Sequence, residues 1–328
     1  MVEPILQVEE LCCGFNTDNG YQRVVDRVSF AIGEGKTLGI VGESGCGKTV
    51  SALAIMGLLP RPAGLLESGR ILLGGRDLAT FSARQMNTVR GSRIGMIFQE
   101  PMTALNPVHR VGRQIIETLR LHERRATNDI LRRRAIALLD QVGIPAPDQR
   151  LDEYPHQLSG GMRQRVMIAM AIAGKPQMLI ADEPTTALDV TVQAQILDLL
   201  RTLQREHGMA MLFITHDLGV VAELCDDVLV MYAGRVAEQA RVVQMFKTPR
   251  HPYTRGLIQS LPLPETPAKS VLPAIEGVVP ALSDLPAGCR FSNRCRHATE
   301  VCRTAVPPLE QCAADHALAC HHWREIAA

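Results

Sequence analysis

At 328 residues, 46% of them hydrophobic and 21% charged, the chain is long enough for one full catalytic domain with a smaller appendage, and its make-up is that of a globular protein. A formal net charge of +1 excludes the strong basic excess expected of a nucleic-acid binder. The one basic cluster, over residues 120–144, reads as a helix with Ile130, Ala137 and Leu138 inward and its arginines on a solvated face.

In chain order, the first ten residues, MVEPILQVEE, are acidic and show no basic-then-apolar leader. Residues 1 to about 95 read as strands and turns leading into a strand, a glycine-rich loop and a helix. Leu38 to Val41 form the apolar strand, and the helix starts near Lys48. The loop between them, GESGCGKT from Gly42 to Thr49, fits the phosphate-loop spacing in its required strand-to-helix context. Glycines there let successive amides turn inward around phosphate oxygens, and the helix adds its positive end. Lys48 can reach the outer phosphates and Thr49 can coordinate Mg²⁺, so the segment predicts a nucleoside triphosphate site.

From about 100 to 158 the periodicity turns helical, and LSGGMRQR then opens a further helix behind Ser159. QMLIAD and AMLFIT read as strands buried on both faces, and DVLVMYAGRVAEQA as a strand pair turning at Ala233-Gly234. The longest apolar run, VMIAMAIAG, ends at Lys175, well short of the roughly 18 residues a bilayer span needs. Together with the acidic amino terminus this predicts a chain kept in the cytoplasm, where a disulfide framework is disfavoured. Six prolines between Leu261 and Pro286 predict an extended connector. The closing segment, Cys289 to Cys320, holds five of the nine cysteines.

Asp182 and Glu183 end the QMLIAD strand, where an acid can hold the Mg²⁺ hydration shell and its neighbour can polarise an attacking water. With LSGGMRQR and FITHD beside these acids, the chain resembles the ABC transporter ATPases, the nucleotide-binding subunits that drive membrane permeases. The resemblance covers roughly residues 5 to 240. It implies an α/β P-loop NTPase cassette: a RecA-like core with an antiparallel β subdomain (1–96 and 164–245) and an inserted helical subdomain (97–163). A C-terminal extension (246–328) with the proline-rich linker and the cysteine cluster completes the chain.

The resemblance also implies a set of residue roles. Phe15, or alternatively Tyr21, stacks on adenine. Gly42, Glu43, Ser44, Gly45, Cys46, Gly47, Lys48, Thr49 and Val50 hold the phosphates, and Mg²⁺ is held through Thr49, Gln99 and Asp182. Glu183, His216 and Gln99 are catalytic. Ser159, Gly160, Gly161 and Met162 form the signature that meets ATP on the opposite subunit, while Asp189, in the ALD stretch from Ala187, signals across the dimer. Cys46 stands where serine is common, and a thiol beside phosphate is expected to be sensitive to alkylation or oxidation.

Four longer stretches narrow the resemblance: FQEPMTALNP, YPHQLSGGMRQRVMIAMAIA, ADEPTTALDVTVQAQIL and PRHPYTRGL. They look like the D-type ATP-binding subunit of dipeptide and oligopeptide importers. That group also contains nickel and glycan-oligomer importers, so the cargo stays open. The implied partners are a second cassette subunit (a paralogue or a copy), two integral permease subunits and, indirectly, an extracytoplasmic substrate-binding protein. The implied location is peripheral, on the cytoplasmic face of the inner membrane. A soluble ABC ATPase working on nucleic acid or ribosomes is the rival reading, disfavoured by the single uninterrupted cassette and the balanced charge.

The cysteine gaps, five residues from Cys289 to Cys295 and six to Cys302, are wider than a zinc knuckle without excluding zinc. Four thiolates also suit a [4Fe–4S] cluster. Resemblance to the importer group implies such a cluster on Cys289, Cys295, Cys302 and Cys320, with Cys312 left over and His316, His321 and His322 as weaker substitutes. Zinc, or no metal at all, stays open.

Overall fold

The computed structural model of the chain describes residues 3–100, 104–123, 125–186, 188–262 and 273–326. Expectations that fall on residues 101–103, on Ala187 and on 263–272 of the proline connector lie outside the described residues. In chain order the strands are β1 (Leu6–Thr17), β2 (Gly20–Ile32), β3 (Thr37–Val41), β4 (Gly64–Leu73), β5 (Arg76–Asp77) and β6 (Ile94–Ile97). They continue as β7 (Met178–Asp182), β8 (Ala210–Ile214), β9 (Asp227–Tyr232), β10 (Arg235–Arg241), β11 (Glu310–Ala313) and β12 (His316–Leu318). The chain divides into two compact units, one of Met1–Ile5, Ile32–Lys36 and Thr80–Ile214, the other of Leu6–Ala31, Thr37–Ala79 and Thr215–Ala328.

The second unit carries the phosphate loop and the strands β1 to β5 and β9 to β12. β1 pairs antiparallel with β4, from Leu6 opposite Leu73 to Phe15 opposite Gly64, in a sheet ordered β2-β1-β4-β5. β3 pairs parallel with β9 and is buried along its whole length, as a strand covered on both faces must be. β9 turns at Ala233-Gly234 into antiparallel β10, as the sequence predicts. β12 then adds to the free side of β10, Glu238 opposite Leu318, and β11 adds to β12.

A short core of aromatic rings ties these pieces. Tyr232 meets Tyr253 edge-on at 4.7 Å and Phe291 at 5.1 Å, so β9, the helix Pro252–Gln259 and the cysteine segment share one apolar contact. Such edge-to-face pairs add about 0.5–1.5 kcal/mol each beyond burial. Beside them Glu238 is fully buried and accepts from the amides of Arg250 (2.8 Å) and His251 (2.9 Å) and bonds His316 Nε2 at 2.7 Å. A buried carboxylate is tolerable only with such partners.

The first unit holds the parallel strands β6, β7 and β8, in register from Ile94 opposite Met178 and Met178 opposite Ala210. All three are buried throughout, which matches their unbroken apolar sequences. Helices Val111–His122, Asn128–Gln141, Gly160–Ile172 and Val190–His207 accompany them. The inner face expected for the basic helix is corrected: Ile130 and Ala137 are exposed, and Leu131, Ala135 and Leu139 are the buried stripe. That i, i+4, i+8 spacing satisfies helical periodicity one residue out of phase with the expectation. Arg132 and Arg134 on the other face pair with Asp148, Asp152 and Glu123. Among the described residues no helix is long and apolar enough to cross a membrane.

Candidate functional site

In the second unit, β3 delivers the chain straight into the phosphate loop. Gly42, Gly45 and Gly47 all take positive φ, at 153°, 79° and 100°, conformations that L side chains rarely adopt. Gly42 is also sterically closed, since a Cβ there would lie 2.2 Å from the Met231 carbonyl oxygen. Gly47 caps the helix Lys48–Ile55, whose first residue sends Nζ back across the loop to the carbonyls of Gly42 (2.8 Å) and Glu43 (3.1 Å). Ser44 and Gly45 at the loop's tip are exposed, and Thr49 and Val50 are half-buried on the first helical turn. Cys46 corrects the expected thiol sensitivity. Its side chain is almost fully enclosed, and burial pushes the thiol up against the pull of Lys48, so little thiolate forms.

His216 lies in the same unit and is exposed. The preceding Thr215 donates its amide to Ile40 of β3 at 3.2 Å and accepts from the Asp217 amide at its hydroxyl. Asp217 in turn caps the helix Leu218–Leu224. Thus His216 is fixed at the carboxyl end of the strand that opens into the phosphate loop. Phe15 is half-buried at the end of β1; Tyr21 is exposed at the start of β2, where its hydroxyl bonds Glu67.

In the first unit, β7 ends in Asp182, which is buried, and is followed by Glu183, whose φ of 45° places a non-glycine residue in the left-handed region. That conformation costs about 1–2 kcal/mol, and it is over-determined by neighbours. The Glu183 amide donates to Ile214 of β8, while its Oε2 accepts from Gln99 Nε2 (3.2 Å) and Thr186 Oγ1 (2.9 Å). Gln99, just after β6, and Glu183, just after β7, are therefore brought into direct contact. Ser159 caps the helix Gly160–Ile172 by accepting from the Met162 amide, and Ser159 and Gly160 are exposed. A Cβ on Gly161 would sit 2.7 Å from Val192, so this glycine permits the helix start to lie against the helix Val190–His207. Asp189 caps that second helix through the Val192 amide at 2.9 Å.

Back in the second unit, one cavity is lined by Cys289, Cys295, Cys302 and Cys320, with His321 and His322 at its wall. Burial first, and then the neighbouring thiols, push Cys289 and Cys320 up to about 11. Cys312 stands apart and donates to the His316 carbonyl within the β11–β12 hairpin, and the His316 ring is committed to Glu238. Among the described residues no three His, Cys, Asp or Glu side chains stand close enough to hold a single metal ion.

The ABC transporter family description matches residues 25–186, and that of the oligopeptide/dipeptide transporter C-terminal region matches 237–302. The probable peptide ABC transporter ATP-binding protein y4tR of Sinorhizobium fredii is 51% identical, covering 98% of this chain and 96% of its own. The chain belongs to the ABC transporter family. Within it, the oligopeptide transport ATP-binding protein OppD of Bacillus subtilis is 49% identical over 94% of this chain and 86% of its own length. The dipeptide transport ATP-binding protein DppD of Escherichia coli is 48% identical over 97% and 96%. The dimeric, ADP- and phosphate-bound structure of the ATP-binding cassette MJ0796 matches 72% of this chain and 98% of its own, with a TM-score of 0.65 at 25% identity. CbiO1 of Clostridium perfringens matches 75% and 91%, with a TM-score of 0.63 at 31% identity. An ABC ATPase cassette is thus the fold.

Several residues that shape this ABC site escape sequence reasoning. Tyr253 accepts from the Glu43 amide through its hydroxyl, and Arg294 pairs with the Glu43 carboxylate. Both lie more than two hundred residues from Glu43, and no spacing rule reaches that far.

Proposed function

We propose that this chain is the ATP-hydrolysing subunit that powers import of dipeptides or oligopeptides through a membrane permease. The observation carrying this reading is near-50% identity, along almost the whole chain, to ATP-binding proteins named for peptide transport. The glycine-shaped phosphate loop with Lys48 folded across it supports ATP as the fuel.

In this reading the loop amides from Gly42 to Val50 and Lys48 take the phosphates, and Phe15 takes the adenine. Thr49, Gln99 and Asp182 offer only hard oxygen donors, which suits Mg²⁺, and the ion when bound neutralises charge on the phosphates. Glu183 accepts the proton of the attacking water; its strained backbone and the bonds from Gln99 and Thr186 hold its carboxylate in one orientation. His216 contacts the γ-phosphate. Ser159, Gly160, Gly161 and Met162 serve ATP held by a second cassette subunit, a paralogue of this chain, and Asp189 faces that partner. Two permease subunits receive the motion near Gln99, with a substrate-binding protein beyond them, and the chain works from the cytoplasmic face of the inner membrane.

The cysteine pocket is proposed as a [4Fe–4S] site. Four thiols on one cavity are the donor set such a cluster uses, and Cys289, Cys295, Cys302 and Cys320 would hold it. Holding it would staple a segment with little core of its own. Metal analysis of anaerobically purified protein tests this: iron and sulfide near four each support it, whereas stoichiometric zinc without sulfide replaces it.

The functional test is Glu183→Gln. The variant is expected to bind ATP normally and to lose hydrolysis by about 10²–10⁴-fold, as for removal of a general base. Multi-turnover hydrolysis near the wild-type rate would contradict the role of Glu183.

A further inference from the structure

Two arginines, Arg290 and Arg294, stand between Cys289 and Cys295, and both reach the phosphate loop or its support. Arg294 uses every nitrogen of its guanidinium. Nη1 donates to Glu43 Oε2 at 2.7 Å, Nε to the Glu276 carbonyl at 2.9 Å, and Nη2 to the Ile275 carbonyl at 3.2 Å. The group also lies 5.8 Å over the Tyr232 ring, and its side chain is only 6% exposed. Glu43 is consequently gripped at three points: its carboxylate by Arg294, its amide by the Tyr253 hydroxyl at 2.9 Å, and its carbonyl by Lys48. Arg290 donates to the Ala233 carbonyl and, at 2.6 Å, to Asp26. The adjoining Gly234 amide donates to the Cys46 carbonyl at 3.0 Å. The loop is thus held at Glu43 and at Cys46, directly and through one turn, by the segment that carries the thiols.

We propose that Arg294, seconded by Arg290, is a positioning residue for nucleotide binding, so that the cysteine segment sets the shape of the phosphate loop. The physical need is local. Glu43 follows Gly42 at the mouth of the loop and its side chain is 27% exposed, so an unrestrained carboxylate there can swing toward the phosphates and repel them. Arg294 neutralises that charge and pins it at the loop's flank. The same contact couples the thiol cavity to the loop, because Arg294 is the residue before Cys295. This inference rests on the reading of Gly42 to Val50 as the ATP site.

The test uses the full-length chain as wild type, Arg294→Met, Arg294→Lys and Tyr253→Phe. Two readouts are taken: the dissociation constant of Mg-ATP, and the iodoacetamide alkylation rate of the Cys46 peptide without nucleotide, followed by mass spectrometry. Cys46 is buried against Gly42, so its reactivity reports loop order apart from any turnover. Arg294→Met is expected to weaken Mg-ATP binding about tenfold, the loss of one charged hydrogen bond, and to speed alkylation of Cys46. Arg294→Lys restores little, since one ammonium cannot replace the fork that serves Glu43, Glu276 and Ile275 together. Tyr253→Phe shifts both readouts the same way by less, and it decides the matter if Arg294→Met fails to fold. Unchanged affinity and unchanged Cys46 reactivity in a folded Arg294→Met protein, even with a lowered melting temperature, would make Arg294 a mere staple and overturn the proposal. Should the wild type bind no Mg-ATP, the site reading fails by itself, and Cys46 reactivity alone then decides whether Arg294 orders the loop.

Discussion

Gly42 carries two demands at once, a φ of 153° and a Cβ position 2.2 Å from the Met231 carbonyl, so no other residue fits without moving backbone. Gly42→Ala is expected to destabilise the fold by about 1–3 kcal/mol through overpacking and to abolish ATP binding, read by thermal melting and nucleotide titration. An alanine variant that binds ATP as the wild type does would show that the loop can relax. At this scale the sequence was most legible where backbone geometry dictates residue type, as in the three positive-φ glycines, and in the helix start at Ser159; the cap that Asp189 provides was not read from it. It misled at Cys46, where residue identity suggested sensitivity and burial instead disfavours the thiolate. Arg294 was invisible, because the pair it makes spans 251 positions and charged residues usually face water.

Elements add a pH dependence. Burial holds the His251 ring neutral and drives it down to about 4, with Nδ1 accepting from the Tyr253 amide. Glu238 beside it is pushed up by burial but pulled further down by bonds from His316 and the amides of Arg250 and His251, so it stays ionised. Both folded values lie below the unfolded ones, so both contributions are present above the unfolded values and lost as pH falls. For His251 the loss runs from about 6.5 toward about 4, at no more than about 1.4 kcal/mol per pH unit, and the Glu238 loss follows lower still. Chemical denaturation between pH 7.5 and 4.5 should show stability falling through this window, and His251→Phe should flatten the upper part. A slope unchanged in that variant would assign the acid sensitivity elsewhere. Strand type was legible from apolar runs, as in β7, β8 and the β9–β10 turn. Strand partners were not: nothing local announces that β12 pairs with β10 through a buried Glu238–His316 contact 78 positions apart. The helix Asn128–Gln141 failed by phase alone, since its isoleucines, leucines and alanines permit more than one apolar stripe.

At the scale of the whole molecule, the C-terminal extension belongs to the same unit as the phosphate loop. β11 and β12 extend its sheet, Tyr253 and Phe291 fill its core, and Arg294 braces its phosphate loop. Truncation before Pro252 should therefore unfold or strongly destabilise that unit, read by melting, and not merely delete an appendage; a truncated chain with wild-type melting and ATP affinity would contradict this. The motif series read from sequence identified the ABC ATPase because each motif is a local answer to a local demand, an inward-turned amide or an acid at a strand end. The most direct test of the central claim is ATP-driven uptake of a labelled dipeptide into proteoliposomes holding this chain with its membrane partners. Uptake is expected with the wild type, and none with Glu183→Gln although ATP still binds. Uptake that persists in that variant, or ATP hydrolysis by the wild-type complex with no peptide moved, would contradict it.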